Sequence, residues 1–224
     1  MVAYDVRKKE NGEAGMDYRE RMMEYYERRA AEYDDAYLGT GAYSGRKRPG
    51  FEEELTQVTA LIEGLPPAHV LDVGCGTGFV TRHLKGEVVG LDQSAAMLEI
   101  ARRRVPEATF VRGDALELPF PDNAFDRAFV GNLLGVLPPP ERAVLIEEAR
   151  RVACELVVFE TSAALAEKAE QWQVRALSDG SGYKIYRRYF AAGDLAEELG
   201  GGRVLFDGVH FVVVASQEAD LGRF

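Results

Sequence analysis

Cysteine is scarce. Cys75 and Cys154 are the only two in 224 residues, and they stand far apart with no CxxC or Cys/His spacing. That excludes a disulfide framework and a thiolate zinc site, and no other metal site is expected. A surplus of positive charge is also lacking: 27 basic against 37 acidic residues leave a net charge of −10, which opposes a sequence-independent hold on nucleic-acid phosphates. No apolar run reaches the roughly 18 residues of a membrane span, and the opening MVAYDVRKKENGEAG has no apolar signal core. These absences lead us to expect a cytoplasmic protein, without a membrane span and without a nucleic-acid partner.

What the chain does have is a globular composition, 46% hydrophobic, which suffices for a core. Residues 1–15 are polar and without period and are read as a mobile tail, leaving 16–224 as one domain. Within 16–37, Met22, Tyr26, Ala30, Tyr33 and Tyr37 recur every three or four residues, the spacing of one helix face. A loop with Arg46, Lys47 and Arg48 follows, then a helix with Phe51, Leu55, Val58 and Ile62 on one side, ended by Gly64 and Pro66-Pro67. Beyond it, strands are expected at 69–73, 88–91, 109–112, 127–130 and 155–159, alternating with helices at 78–85, 95–105 (capped by Ser94) and 141–152. Such alternation implies an α/β fold, a parallel sheet covered on both faces. Residues 204–206 and 209–215, joined by Asp207-Gly208, add an antiparallel hairpin. Between them and the fifth strand, 161–190 reads as an insertion, a polar helix with Trp172 and a glycine-rich bend, suited to covering a ligand.

The main chemical signal is Val70-Leu71-Asp72-Val73-Gly74-Cys75-Gly76-Thr77-Gly78, an apolar strand running into alternating glycines. Glycines let the backbone turn sharply and approach a ligand closely. Asp92, 18 residues after Gly74, closes the second strand where a carboxylate can accept both hydroxyls of a ribose, and Asp114 follows the third strand, within reach of an adenine amine. A dinucleotide loop would read G-x-G-x-x-G, but after Gly78 the next glycine is Gly86.

Together these residues resemble the class I S-adenosylmethionine-dependent methyltransferases, in their small-molecule branch. The resemblance runs from Tyr26 to Ala215 and includes Gly113-Asp114-Ala115-Leu116-Glu117-Leu118-Pro119-Phe120, Phe125-Asp126 and the aromatic segment around Tyr26 and Tyr33. It implies a Rossmann-like, doubly wound, seven-stranded sheet in the order 3-2-1-4-5-7-6 with strand 7 antiparallel. It also implies S-adenosylmethionine as cofactor, S-adenosylhomocysteine as product, and a small, partly apolar acceptor. The implied cofactor-binding residues are Tyr26, Tyr33, Asp72, Gly74, Cys75 (through its backbone), Gly76, Gly78, Asp92, Gln93, Met97, Gly113, Asp114, Ala115 and Asn132, with residues 16–50 as a lid. Two other readings stay open: a non-catalytic regulatory protein that binds the cofactor, or an RNA or protein methyltransferase, for which the basic runs Arg46-Lys47-Arg48 and Arg102-Arg103-Arg104 are the only support.

Methyl transfer from a sulfonium asks the protein for alignment and exclusion of water, and for a base only when the acceptor's proton is held tightly. His69 and His83 fall away from the strand ends that matter and are read as structural. His210 and Asn132 are the candidate catalytic residues. Leu133, Leu134 and Gly135 stand where many relatives carry a polar residue, which points to an apolar acceptor pocket. Trp172, Tyr183, Tyr186 and Tyr189 are expected on the acceptor side. Arg187-Arg188 is read as a solvated pair with an acidic substrate as the other possibility.

Overall fold

The computed structural model describes residues 18–216, so the expected mobile tail and the first two residues of the expected lid helix lie outside the described residues. Nine strands are described. β1 (Ala68–Val73), β2 (Gly86–Asp92), β3 (Thr109–Arg112), β4 (Phe125–Gly131) and β5 (Ala153–Thr161) run parallel. β6 (Glu170–Ala176) and β7 (Gly182–Arg188) form a separate antiparallel ribbon. β8 (Arg203–Asp207) and β9 (Phe211–Ala215) complete the main sheet, whose order is β3-β2-β1-β4-β5-β9-β8 with β9 antiparallel to both neighbours. This is the expected topology, with the last two strands renumbered because the ribbon precedes them.

The helices are α1 (Tyr18–Arg29), α2 (Asp35–Leu38), α3 (Phe51–Glu63), α4 (Ala95–Arg104), α5 (Pro139–Val152) and α6 (Ala192–Glu198). The central strands β1, β4 and β5 are buried on both faces. One face packs Leu71, Val130 and Val158 with Leu145, Ile146 and Ala149 of α5 and Leu195 of α6. The opposite face packs Val70, Phe129 and Val157 with Phe51, Val58 and Ile62 of α3. Ser94 caps α4 as expected, its hydroxyl accepting from the Met97 N–H. Among the described residues no helix is long and apolar enough to cross a membrane.

Four sequence expectations need correction. Residues 78–85 form only one 3-10 turn, Thr81–His83, not a helix. After the Arg82 N–H reaches Gly78 O at 3.3 Å, the chain tightens, His83 N–H donating to Val80 O at 2.9 Å and Leu84 N–H to Thr81 O at 3.0 Å, the i→i−3 spacing of a 3-10 turn. The helix expected over 16–37 is broken into α1, a 3-10 turn (Ala30–Glu32) and α2. The break lets Asp34 accept a hydrogen bond from the Thr77 hydroxyl at 2.6 Å, docking the segment on the glycine loop. The polar helix expected around Trp172 is the β6–β7 ribbon. The Asp207-Gly208 turn is longer than expected because Glu54 of α3 accepts the N–H groups of Val209 and His210, both at 2.9 Å, so β9 starts only at Phe211. Helix α6 has no counterpart in the sequence reading.

Candidate active site

Two adjoining cavities open at the C-terminal ends of the parallel strands, the end at which open α/β sheets bind ligands. The first, of about 100 Å³, is floored by Gly74 and Gly76 after β1, Asp92 at the end of β2 and Gln93 beyond it, Gly113, Asp114 and Ala115 after β3, and Asn132 after β4. Met97 of α4 reaches it from the side, and Tyr18, Met22, Tyr26 and Tyr33 roof it. Eleven of the fourteen residues expected to bind the cofactor therefore meet in one cavity.

Backbone geometry explains the glycines. Gly74 has φ +71°, and a Cβ there would come within 2.8 Å of the Leu133 side chain. At Gly76 (φ +54°) a Cβ would stand 3.6 Å from the Tyr33 ring, in the slot between loop and roof. Gly78 does a different job: a Cβ there would meet the Ala101 backbone at 3.2 Å, so it serves the packing of α4 and does not line the cavity.

The acids divide in the same way. Asp92 accepts the Gly76 N–H at 2.9 Å and the Ser94 N–H at 2.8 Å, and burial pushes its carboxyl up against those two bonds. It braces the glycine loop while lining the cavity. Asp114 accepts the Leu116 N–H at 2.9 Å and pairs with Arg19 of α1 at 2.7 Å. Asp72 lies beneath the loop and does not line the cavity; it accepts the Thr81 hydroxyl at 2.6 Å, and burial pushes it up to about 7. Cys75 is buried beside it and also outside the lining. Its N–H donates to Leu91 O at 3.0 Å and its C=O accepts the Gly78 N–H at 3.0 Å, so its backbone groups are engaged within the loop. Glu27 is a residue the sequence reading gave no separate role: its carboxylate accepts the Ser94 hydroxyl at 2.7 Å and the Ala96 N–H at 3.2 Å, fastening α1 to the start of α4.

The second cavity, of about 470 Å³, shares Tyr26, Tyr33 and Asn132 with the first. Asn132 holds a left-handed conformation, φ +53°, which asparagine tolerates better than most residues. Both ends of its amide are fixed: Oδ1 accepts the Thr161 hydroxyl at 3.0 Å and Nδ2 donates to the Tyr37 hydroxyl at 2.9 Å. The Tyr37 ring stacks on Phe79 at 4.3 Å. His210 borders the second cavity with Nε2 at 2.8 Å from Pro49 O. A carbonyl only accepts, so Nε2 carries the proton and Nδ1 is the acceptor of the neutral ring. His69 and His83 line neither cavity.

Of the four aromatics expected on the acceptor side, Tyr189 lines the second cavity; Trp172, Tyr183 and Tyr186 do not. Trp172 is 42% exposed and meets Tyr18 edge-on at 5.1 Å, Tyr183 donates to Glu24 at 2.9 Å, and Tyr186 donates to Glu170 at 2.6 Å. Arg187 and Arg188 are not a solvated pair. Arg187 lines the second cavity, Arg188 bridges Glu170 and Glu198, and the Nε of each is shut off from solvent. The run Arg102-Arg103-Arg104 is engaged within the chain, on Phe110 O, Glu99 and Asp34. Among the described residues no cluster of His, Cys, Asp and Glu has the grouping of a metal site.

Residues 70–155, which run from β1 into β5 and carry most of the first cavity's floor, match a family model described as a methyltransferase domain. This stretch is similar to the class I S-adenosylmethionine-dependent methyltransferases. Along the sequence, the chain is similar to demethylmenaquinone methyltransferase of Lactiplantibacillus plantarum, 40% identical over an alignment of 121 positions that covers 47% of this chain and 50% of that protein. The Thermotoga maritima protein of the same name is 42% identical over 101 residues, 43% of each chain. The chain thus spans about half the length of the curated relatives it matches. Among solved structures, the fold of this chain resembles that of the DhpI–SAM–HEP complex, with TM-score 0.72 and 23% identity over 92% of this chain and all of that one. It also resembles Burkholderia thailandensis 1,6-didemethyltoxoflavin-N1-methyltransferase with bound 1,6-didemethyltoxoflavin and S-adenosylhomocysteine, with TM-score 0.63 and 16% identity over 95% of this chain and 93% of that one.

Proposed function

We propose that the protein transfers the methyl group of S-adenosylmethionine to a small, partly apolar acceptor and releases S-adenosylhomocysteine. The observation that carries this reading is the shared wall. A cavity floored by the glycine loop and lined by Asp92 and Asp114 touches a larger cavity across Asn132, Tyr26 and Tyr33, so a donor in one and an acceptor in the other face each other.

The residues fit the donor. Glycine at 76 keeps open the slot between loop and roof, and we assign the Asp92 carboxylate to the ribose hydroxyls and Asp114 to the adenine amine, since both line the cavity. The sulfonium supplies an already activated methyl. Chemically, the carbon–sulfur bond breaks with its electron pair going to sulfur as a lone pair on an N, O, S or C atom of the acceptor forms the new bond. The proton of the acceptor, where there is one, passes to a base or to water. What the chain contributes is alignment and dryness. Asn132, held at both ends, sets the wall between the cavities, and the tyrosine roof shuts out water. His210 is the imidazole available on the acceptor side, through Nδ1. We assign residues 16–50 as the lid, 161–190 as the acceptor wall, and Asp72, Cys75 and Gly78 to supporting the loop from below. The two cysteines are free thiols, the state that a reducing cytoplasm maintains, which supports placing the protein there.

The test is a titration with S-adenosylhomocysteine followed by a screen of small-molecule acceptors with methyl-labelled S-adenosylmethionine. Binding together with label transfer is the expected result. No binding of S-adenosylhomocysteine would overturn the reading.

A further inference from the structure

The second cavity has a charge that methyl transfer by itself does not require. In a chain of net charge −10, Arg29, Arg48, Arg175 and Arg187 line it against a single lining carboxylate, Glu167. Elsewhere the buried arginines are matched: Arg104 pairs with Asp34, Arg127 with Glu155 and Arg142 with Glu198. No carboxylate among the described residues forms an ion pair with any of the four cavity arginines; their partners are neutral. Arg29 lies against the rings of Tyr25 and Tyr33, at 5.5 and 5.0 Å. Arg48 donates to Ala36 O at 2.6 Å and lies 3.6 Å over Phe51. Arg175 donates to the Tyr43 hydroxyl at 3.2 Å, and Arg187 to the Thr161 hydroxyl at 3.2 Å. The Arg187 Nε, closed to solvent, has no partner at all. Behind Arg187 the buried Glu160 accepts the Gly135 N–H at 3.0 Å, and burial pushes its carboxyl up to about 7, so it counters the guanidinium only in part.

An independent observation comes from β6. Its alternation is inverted: Trp172 and Val174 face outward while Gln171 and Arg175 turn inward and line the cavity. A strand that shows its apolar side chains to the exterior and its polar ones to a cavity is built around what the cavity holds. Partly buried guanidinium groups without an ion-paired carboxylate are costly, and their fixed fork of N–H donors matches the oxygens of carboxylates and phosphates.

We propose that the acceptor is an anion, a small molecule whose carboxylate or phosphoryl oxygens are held by Arg175 and Arg187 with Arg29 and Arg48 beside them. This rests on the methyltransferase reading above. The bonds from Arg187 to Thr161 and from Thr161 to Asn132 tie the anion's anchor to the wall shared with the donor cavity, so the anionic end fixes which part of the acceptor faces the methyl group.

The experiment uses the protein saturated with S-adenosylhomocysteine and probes of one skeleton: 4-hydroxybenzoate, 4-hydroxyphenyl phosphate and the neutral 4-hydroxybenzamide, titrated by calorimetry. At least one anion should bind ten-fold or more tighter than the amide, and which anion leads assigns carboxylate or phosphoryl recognition. Arg175→Gln and Arg187→Gln should each narrow that gap to three-fold or less while S-adenosylhomocysteine affinity stays within two-fold of wild type. Because Arg187 is enclosed and its variant could misfold, Arg175→Gln is the independent check. Equal binding of amide and anions, no binding of either anion, or a preference that survives in the double variant would overturn the proposal. Each of these is distinct from loss of S-adenosylhomocysteine binding by the wild type, which would overturn the methyltransferase reading.

Discussion

Asp34 and Arg104 form an ion pair that straddles Thr77: Asp34 accepts the Thr77 hydroxyl while Arg104 donates to both the hydroxyl and the carbonyl of that residue. The N-terminal segment, the glycine loop and the end of α4 are thereby locked at one residue. Asp34→Ala leaves Arg104 without its counter-charge and should cost about 1–3 kcal/mol of stability. Chemical denaturation reads the loss, and hydrogen exchange over residues 18–38 should quicken more than exchange in the sheet.

The first cavity holds about 100 Å³, below the roughly 300–1,000 Å³ of ordinary ligand clefts. The roof of Tyr18, Met22, Tyr26 and Tyr33 must therefore move to admit a nucleoside and settle again over it. Residues 18–38 should gain hydrogen-exchange protection when S-adenosylhomocysteine binds. Equal protection in both states would make this segment a fixed part of the core.

Asp92→Ala removes a charged acceptor, and hydrogen bonds to charged groups contribute about 1.5–3 kcal/mol each. The S-adenosylhomocysteine Kd should rise at least ten-fold. The same change strips the Gly76 and Ser94 N–H groups of their acceptor, so the melting temperature should drop as well. Asp92→Asn keeps an acceptor oxygen and should recover more of the stability than of the affinity.

Stability should fall as pH rises from about 4 to about 7. Buried Asp72 and Glu160 are both pushed up to about 7 from ordinary values of 3.8 and 4.5, so across that window the native state holds protons that the unfolded chain has released. Linkage then makes unfolding easier with each step upward in pH, and the loss is complete above the native values. Asp72→Asn should flatten the slope of melting temperature against pH between these limits. An unchanged slope would mean that Asp72 is ionised throughout.

S-adenosylmethionine and S-adenosylhomocysteine should raise the melting temperature, and NAD and NADP should not, because only a ligand bound to the native state shifts the midpoint. A shift with NAD would show that the glycine loop accepts a dinucleotide.

The main sheet was legible because its strands are short aliphatic runs between clear breakers, and the first cavity because Gly74, Gly76, Asp92 and Asp114 follow strand ends that the same pattern locates. The second cavity was not. Its β6 wall carries Gln171, Gln173 and Arg175 inward and Trp172 and Val174 outward, so the segment lacks the apolar alternation of a buried strand and reads as a polar helix. Arg187 followed by Arg188 looks like a solvated pair in sequence; only the packing of β7 against the 3-10 turn at Leu134–Val136 and against α1 encloses them. The ion pair of Arg19 with Asp114 and the bonds of Glu27 to the start of α4 join residues 67 or more positions apart, a separation at which no local periodicity carries a signal.

The short crossover between β1 and β2 has an electrostatic meaning. A helix beginning there would aim a row of free N–H groups and the positive end of its dipole at whatever lies over the glycine loop, the arrangement by which proteins hold phosphate. Residues 74–85 supply one 3-10 turn instead, and the Gly76 N–H is already given to Asp92. The field over the loop is set by carboxylates, which favours a ligand bearing positive charge and repels one bearing a pyrophosphate. The 3-10 turn in place of a helix thus bears directly on which class of nucleotide the loop accepts.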